Sequence, residues 1–353
     1  MGLLAVPDRT GIQRTRDRRC TWGRPTGRDL RHRGQSVQDI RRITLRSMST
    51  KKSPLNRLRR SLGLETQNEW PSVARERLLA YGLLAVYVLI IWFPIYYIFI
   101  TSIKPSSEVL SLPITFLPQS PTAQNYVDIF TNRPFDNYTI NSMIVATTTT
   151  LICITLGTVT GYSFSRYDFL GNKSLLLSIV GARMIPPIAL IVPFFQIMSN
   201  PPLIGGLTGS LYDTRLALIL TYTFFNLPFA VWIMKNYFDG IPESLDEQAR
   251  IDGCSRWEAF VKIILPMAKP GIAATAILAF IFSWNEFVFA LVLTSSEQAQ
   301  TLPIAVSLFV ADDFVDWAHL AAGGMIAALP GILFGLFFQQ YIVSGLTQGA
   351  VKE

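Results

Sequence analysis

The sequence predicts an all-α membrane protein of six transmembrane helices, with a cytoplasmic pair of short helices inserted before the fifth. Three observations predict this. Half of the 353 residues are hydrophobic and only 16% are charged, and the mean hydropathy is positive, at +0.34. Uncharged runs recur that match the roughly 20 helical residues needed to cross a hydrocarbon core of about 30 Å. The charged residues are concentrated between those runs.

Residues 1 to 77 hold 19 basic and 7 acidic side chains of the chain's 31 and 24, leaving 12 and 17 for the remainder. The overall +7 charge is therefore a property of the N-terminal stretch and gives no support for a nucleic-acid-binding surface on the folded part. Residues 1–72 are rich in arginine without apolar periodicity, which predicts a disordered extension outside the fold. Met48 begins Met-Ser-Thr-Lys-Lys-Ser-Pro, which reads as an alternative start. The folded body is then expected at 73–353.

The first span is expected at about Leu78 to Ile103, followed by a proline-containing external loop to about Asp136 and a second span from Tyr138 to Phe164. A charged turn carrying Arg166, Asp168 and Lys173 leads into a third span from Ser174 to Met198. Arg183 lies inside it, where an ionisable group is costly unless it faces a cavity or a partner; both readings are open. Pro186, Pro187 and Pro193 are expected to kink or break this helix. The fourth span is expected at Leu216 to Met234, the fifth at Gly271 to Leu293 and the sixth at Leu320 to Leu346. Short loops with Arg166 and Lys173, and with Lys235, Arg250, Arg256, Lys262 and Lys269, contrast with residues 294–318, which lack Lys and Arg. The positive-inside rule puts both termini and the loop 241–266 in the cytoplasm.

That loop is a polar island between apolar runs. Pro242 suits the start of a short helix with Glu243, Asp246 and Glu247 near its positive end. Gly253 supplies the left-handed residue that ends it. Ser255 and Glu258 form a capping box for a second helix, expected to stop at Pro266. On the first helix Leu245, Gln248, Ala249 and Asp252 share one face by helical spacing, which predicts a docking element rather than an active site.

No chemistry of its own is evident. Gly171-Asn172-Lys173-Ser174 lacks the adjacent Gly-Lys and the upstream glycine of a phosphate-binding loop. There is no nucleophile triad, no HExxH helix and no metal-ligand spacing, so catalytic and metal residues are expected to be none. The polar and aromatic residues left in the apolar part, Asn141, Arg183, Asn226, Trp284, Asn285 and Glu286, are candidates for a substrate pathway. Aromatic faces beside hydrogen-bonding groups suit a sugar, although Trp284 fits helix packing equally well.

Glu247-Gln248-Ala249, Asp252-Gly253 and Ile263-Ile264-Leu265-Pro266 together resemble the EAA loop of bacterial ABC-importer permeases, with Gln248 where that family usually has alanine. With the Trp284-Asn285-Glu286-Phe287 run and the ending Gly345-Leu-Thr-Gln-Gly-Ala-Val-Lys, the order of motifs is similar to the maltose-type carbohydrate permeases. The resemblance implies the type I importer permease fold, with the loop as a coupling helix in a cleft of a cytoplasmic ATPase. Glu247, Gly253 and the tail residues Gln348 and Gly349 would make ATPase contacts. It also implies a second homologous permease, an ATPase dimer that binds ATP and magnesium, an extracytoplasmic sugar-binding protein and a carbohydrate or polyol substrate, in a bacterial inner membrane. An ion-coupled secondary transporter of small polar solutes is the alternative; it would accumulate substrate by this chain alone.

Overall fold

The computed structural model describes residues 69–201, 209–310 and 314–347. Side chains are described for 77–337 within these limits, so residues 1–68 of the extension and the tail residues Gln348 and Gly349 lie outside the described residues. The chain divides into two units, 1–92 and 93–353. From the first, α1 (Glu69–Ser102) runs on into the second. Its apolar side chains from Leu78 to Phe93 are exposed on every face, as suits a helix covered by lipid or by another chain.

The second unit continues with α2 (Gln124–Thr131) and α3 (Phe135–Arg166). The third apolar run is not one helix. It is α4 (Asn172–Ala182), then a 3₁₀ turn over Pro187–Leu190 and α5 (Ile191–Ser199), with the two halves bent by 90°. Pro186 and Pro187 have no amide hydrogen to continue the ladder, which is the physical reason for the expected break. α6 (Arg215–Asp239) carries Pro228 without interruption and extends five residues past the expected Met234. The loop helices are α7 (Ser244–Ile251) and α8 (Arg256–Met267). The fifth span begins as α9 (Lys269–Trp284), stops, and resumes as α10 (Val288–Leu293). After α11 (Leu302–Ser307), α12 (Trp317–Thr347) is the sixth.

α1, α3, α6 and α12 are each long and apolar enough to cross a membrane. α3 is the central helix, packed along α6 and against α9. The close approach to α6 is set by Gly157 and Gly161, a small-xxx-small pair. A Cβ on Gly161 would stand 2.8 Å from the Lys235 amide nitrogen and 2.8 Å from Met234 Cβ, and one on Gly157 would stand 2.9 Å from Ala230 Cβ.

Polar braces close the far end of the bundle from the loop 241–266. Asn141, fully buried, donates from Nδ2 to the Glu297 carbonyl at 3.0 Å and the Gln300 carbonyl at 2.7 Å. Asp213, held at φ 60°, accepts at Oδ1 from the amides of Ser295 (2.8 Å) and Ser296 (2.9 Å). Burial pushes the Asp213 carboxyl upward, but those amides outweigh it and hold its pKa below the usual carboxylate value.

Candidate functional site

The loop between α6 and α9 forms the two short helices its sequence predicts. Gly253 sits at φ +90°, in the left-handed region that a side chain disfavours. The capping box closes: Ser255 Oγ accepts from the Glu258 amide at 3.2 Å, and Glu258 Oε2 accepts from the Ser255 amide at 2.9 Å. Pro266 does not end the second helix. A π turn over Phe260–Ile264 precedes it, the helix continues to Met267, and the direction changes at Ala268, where α8 and α9 are bent by 73°.

The face expected to dock is divided by the fold. Ala249 is 2% exposed, and Leu245 packs inward on a cluster of Tyr162, Met234, Phe238, Phe260 and Ile264. Apolar side chains on an otherwise polar helix gain most by covering that cluster, so these two hold α7 down instead of facing out. Glu247, Gln248, Asp252 and Gly253 are exposed as expected. Ile251 joins them, 84% exposed, and Trp257 on α8 is 63% exposed. Neither was singled out from sequence, although an isoleucine off the inward face of a polar helix is a signal for a contact surface.

Sequence reading also misses how the loop is fastened. At the end of α3, Arg166 Nε donates to Asp246 Oδ2 at 2.8 Å, and its two terminal nitrogens donate to the Phe238 carbonyl at 3.1 Å and the Ile241 carbonyl at 2.8 Å. Tyr162, one turn earlier, donates to Asp246 Oδ1 at 2.8 Å. The Arg166 and Asp246 side chains are 6% and 15% exposed, so this ion pair is shielded from water and has both partners' hydrogen bonds satisfied. One guanidinium thus joins the end of α3, the end of α6 and the first turn of α7. Arg256 lies over the Tyr167 ring, 5.4 Å from its centroid, and adds α8 to the same junction.

The pathway candidates separate into two groups. Asn226 (6% exposed) donates to Ser283 Oγ at 3.0 Å, tying α6 to α9. Trp284 (4% exposed) donates from Nε1 to the Ala327 carbonyl at 2.9 Å and stacks on Phe280. With Asn141 these groups pack within this chain, and of the two readings left open for Trp284 its burial and bond to α12 match helix packing. Arg183 and Asn285 are exposed and Glu286 is half-buried. Arg183 lies at the bend after α4, its guanidinium 4.4 Å from the Phe229 ring centroid and 5.4 Å from that of Phe282. Asn285 ends α9, and Glu286 turns back to accept from the amides of Phe289 (2.9 Å) and Ala290 (3.2 Å), capping α10. Two spans are thus broken beside exposed polar groups. Broken backbone inside a membrane is tolerated only where it meets protein or water.

The family model described as "Binding-protein-dependent transport system inner membrane component" matches residues 153–348. The trehalose transport system permease protein SugB of Mycobacterium tuberculosis is 38% identical over 261 residues, 73% of this chain and 92% of that protein. The inner membrane ABC transporter permease protein YcjP of Escherichia coli is 35% identical over 272 residues, 76% of this chain and 94% of that one. The fold is shared with a chain in the crystal structure of a bacterial ABC transporter involved in the import of the acidic polysaccharide alginate. There the TM-score is 0.63 with 24% identity, covering 76% of this chain and 97% of that one.

Proposed function

The chain belongs to the binding-protein-dependent transport system inner membrane components, the permease subunits of ABC importers, and from that premise we propose that it forms half of a translocation pathway for a sugar or polyol in a bacterial inner membrane. It is a non-catalytic subunit. An ATPase dimer on the cytoplasmic side would hydrolyse ATP with magnesium, a second homologous permease would complete the pathway, and an extracytoplasmic binding protein would deliver the substrate. The carbohydrate class rests on relatives such as SugB, whose name is that of a trehalose permease.

The observation that carries the reading is the loop 241–266. It has a short polar helix locked to two spans by Arg166 and Asp246 while Glu247, Gln248, Ile251 and Asp252 stand exposed. A helix fixed on its inner side and bare on its outer side transmits motion between whatever docks on it and the spans behind it. Both chain termini would lie on the same side as this loop, with Gln348 and Gly349 near the ATPase. Asn285, Glu286 and Arg183 would face the pathway.

Isolation of the tagged chain from native membranes tests this. We expect an ATPase and a second permease to be recovered with it. Recovery of the chain alone, together with solute accumulation by the purified chain under an ion gradient, would establish the secondary-transporter alternative instead. Residues 1–72 are proposed to lie outside the permease body. Deleting 1–47 is expected to leave substrate uptake within about twofold of the full-length chain, given how little apolar surface that stretch offers for packing. An assembled but transport-dead truncation would show that the extension takes part.

A further inference from the structure

The sharpest unexplained feature in the membrane region is Arg183. Three helices place it by their lengths. From the end that carries the coupling loop, α4 rises about 17 Å before reaching Arg183; Phe229 lies about 15 Å above the end of α6, and Phe282 about 20 Å above the start of α9. These values agree, and in a hydrocarbon core of about 30 Å they put the guanidinium near the middle. At that depth a lipid headgroup is out of reach of a single side chain.

The group is held but not neutralised. Phe229 and Phe282 present ring faces to it at 4.4 and 5.4 Å, which holds the charge by cation–π attraction. Among the described residues no carboxylate or hydrogen-bond acceptor pairs with it. Glu286, the acid of the neighbouring helix break, is already bound by the amides of Phe289 and Ala290. Arg183 is nevertheless exposed, and so is Asn285, three residues beyond Phe282 at the end of α9, where its Nδ2 donates to the Ile281 carbonyl at 2.9 Å. An arginine stacked on aromatic rings with its donor fork open is arranged to receive a planar or tetrahedral oxyanion in two parallel hydrogen bonds.

We propose that Arg183, supported by Phe229 and Phe282, is a subsite for an oxyanion group at mid-membrane, so that the carbohydrate carried bears a carboxylate, sulfonate or phosphate. The proposal rests on the pathway reading above. The same chemistry could be supplied by a carboxylate of the second permease, and the test separates the two sources.

The experiment places a cysteine at Asn285 (Asn285→Cys) in the complete importer in nanodiscs, isolated with its partner chains. It compares reaction rates with a sulfonate-bearing methanethiosulfonate and with its quaternary-ammonium counterpart, against the same importer without the added cysteine. Both reagents reaching Cys at 285, with the anionic-to-cationic rate ratio falling by about tenfold or more when Arg183→Gln is added, is the expected result. An unchanged ratio would overturn the proposal, because it means that the charge is already matched by a carboxylate of the second permease. Reaction with neither reagent, in an importer whose ATP hydrolysis is stimulated by the binding protein, would remove Asn285 and Arg183 from the pathway and overturn the pathway reading itself. Protection of the cysteine by glucuronate but not by glucose, lost in Arg183→Gln, is the further expected result.

Discussion

Replacing Arg166 with leucine is expected to uncouple the importer and to destabilise the chain by about 3–5 kcal/mol, the usual cost of leaving one partner of a buried ion pair alone. The substitution strands Asp246, 15% exposed, and frees the carbonyls of Phe238 and Ile241 from their donor. The Tyr162 hydroxyl remains on Asp246, so α7 is loosened and not released. Thermal unfolding of the purified assembly should shift down, and binding-protein-stimulated ATP hydrolysis should fall well below that of wild type at equal assembly. Asp246→Asn keeps a hydrogen-bond acceptor for Arg166 and is expected to cost less. Equal losses in both variants would mean that the ion pair itself, and not the hydrogen bonds from Arg166 to the two carbonyls, carries the effect.

Gly161→Val is expected to have the largest effect of any single change and to prevent formation of the folded bundle. The added Cβ falls 2.8 Å from the backbone nitrogen of Lys235, an atom that cannot move without displacing α6. Overpacking commonly costs about 1–3 kcal/mol when side chains can shift, and more when only backbone can yield. The matched control is Gly324→Val in α12, where a Cβ would meet nothing within 4 Å in this chain. Size-exclusion profiles of the two variants in detergent should differ sharply, with Gly161→Val aggregated and Gly324→Val monodisperse. A monodisperse Gly161→Val protein would show that α3 and α6 are less tightly apposed than described.

The spans were legible because the bilayer imposes a length and an absence of charge that composition reveals directly. So were the Gly253 turn and the Ser255 capping box, since both depend on residues within a few positions of each other. The break after Trp284 was not: no proline marks it, and Glu286 makes it by capping α10 from within an apolar run. Arg166 was visible only as a basic loop residue, because its partner Asp246 is 80 positions away in sequence and only the fold brings them together. Helical spacing grouped Leu245 and Ala249 with Gln248 and Asp252, yet spacing does not say which flank of a helix meets the core. The Tyr162 and Phe260 cluster decides that, and it claims the two least polar members. Trp284 shows the same limit: an aromatic residue that suits a sugar equally suits the Ala327 carbonyl and the Phe280 ring.

In the proposed assembly the bare outer flank of α7 carries force between this permease and an ATPase. Ile251 tests it most directly, since it is 84% exposed, is not among the residues of the inner cluster and leaves the Arg166 junction untouched. Binding-protein-stimulated ATP hydrolysis should be measured in proteoliposomes containing Ile251→Asp importer, beside wild type at equal amounts of membrane-inserted chain. Loss of most of the stimulation is expected, with the thermal stability of the permease unchanged. Full stimulation in Ile251→Asp would contradict it and leave the loop a surface helix without a coupling role.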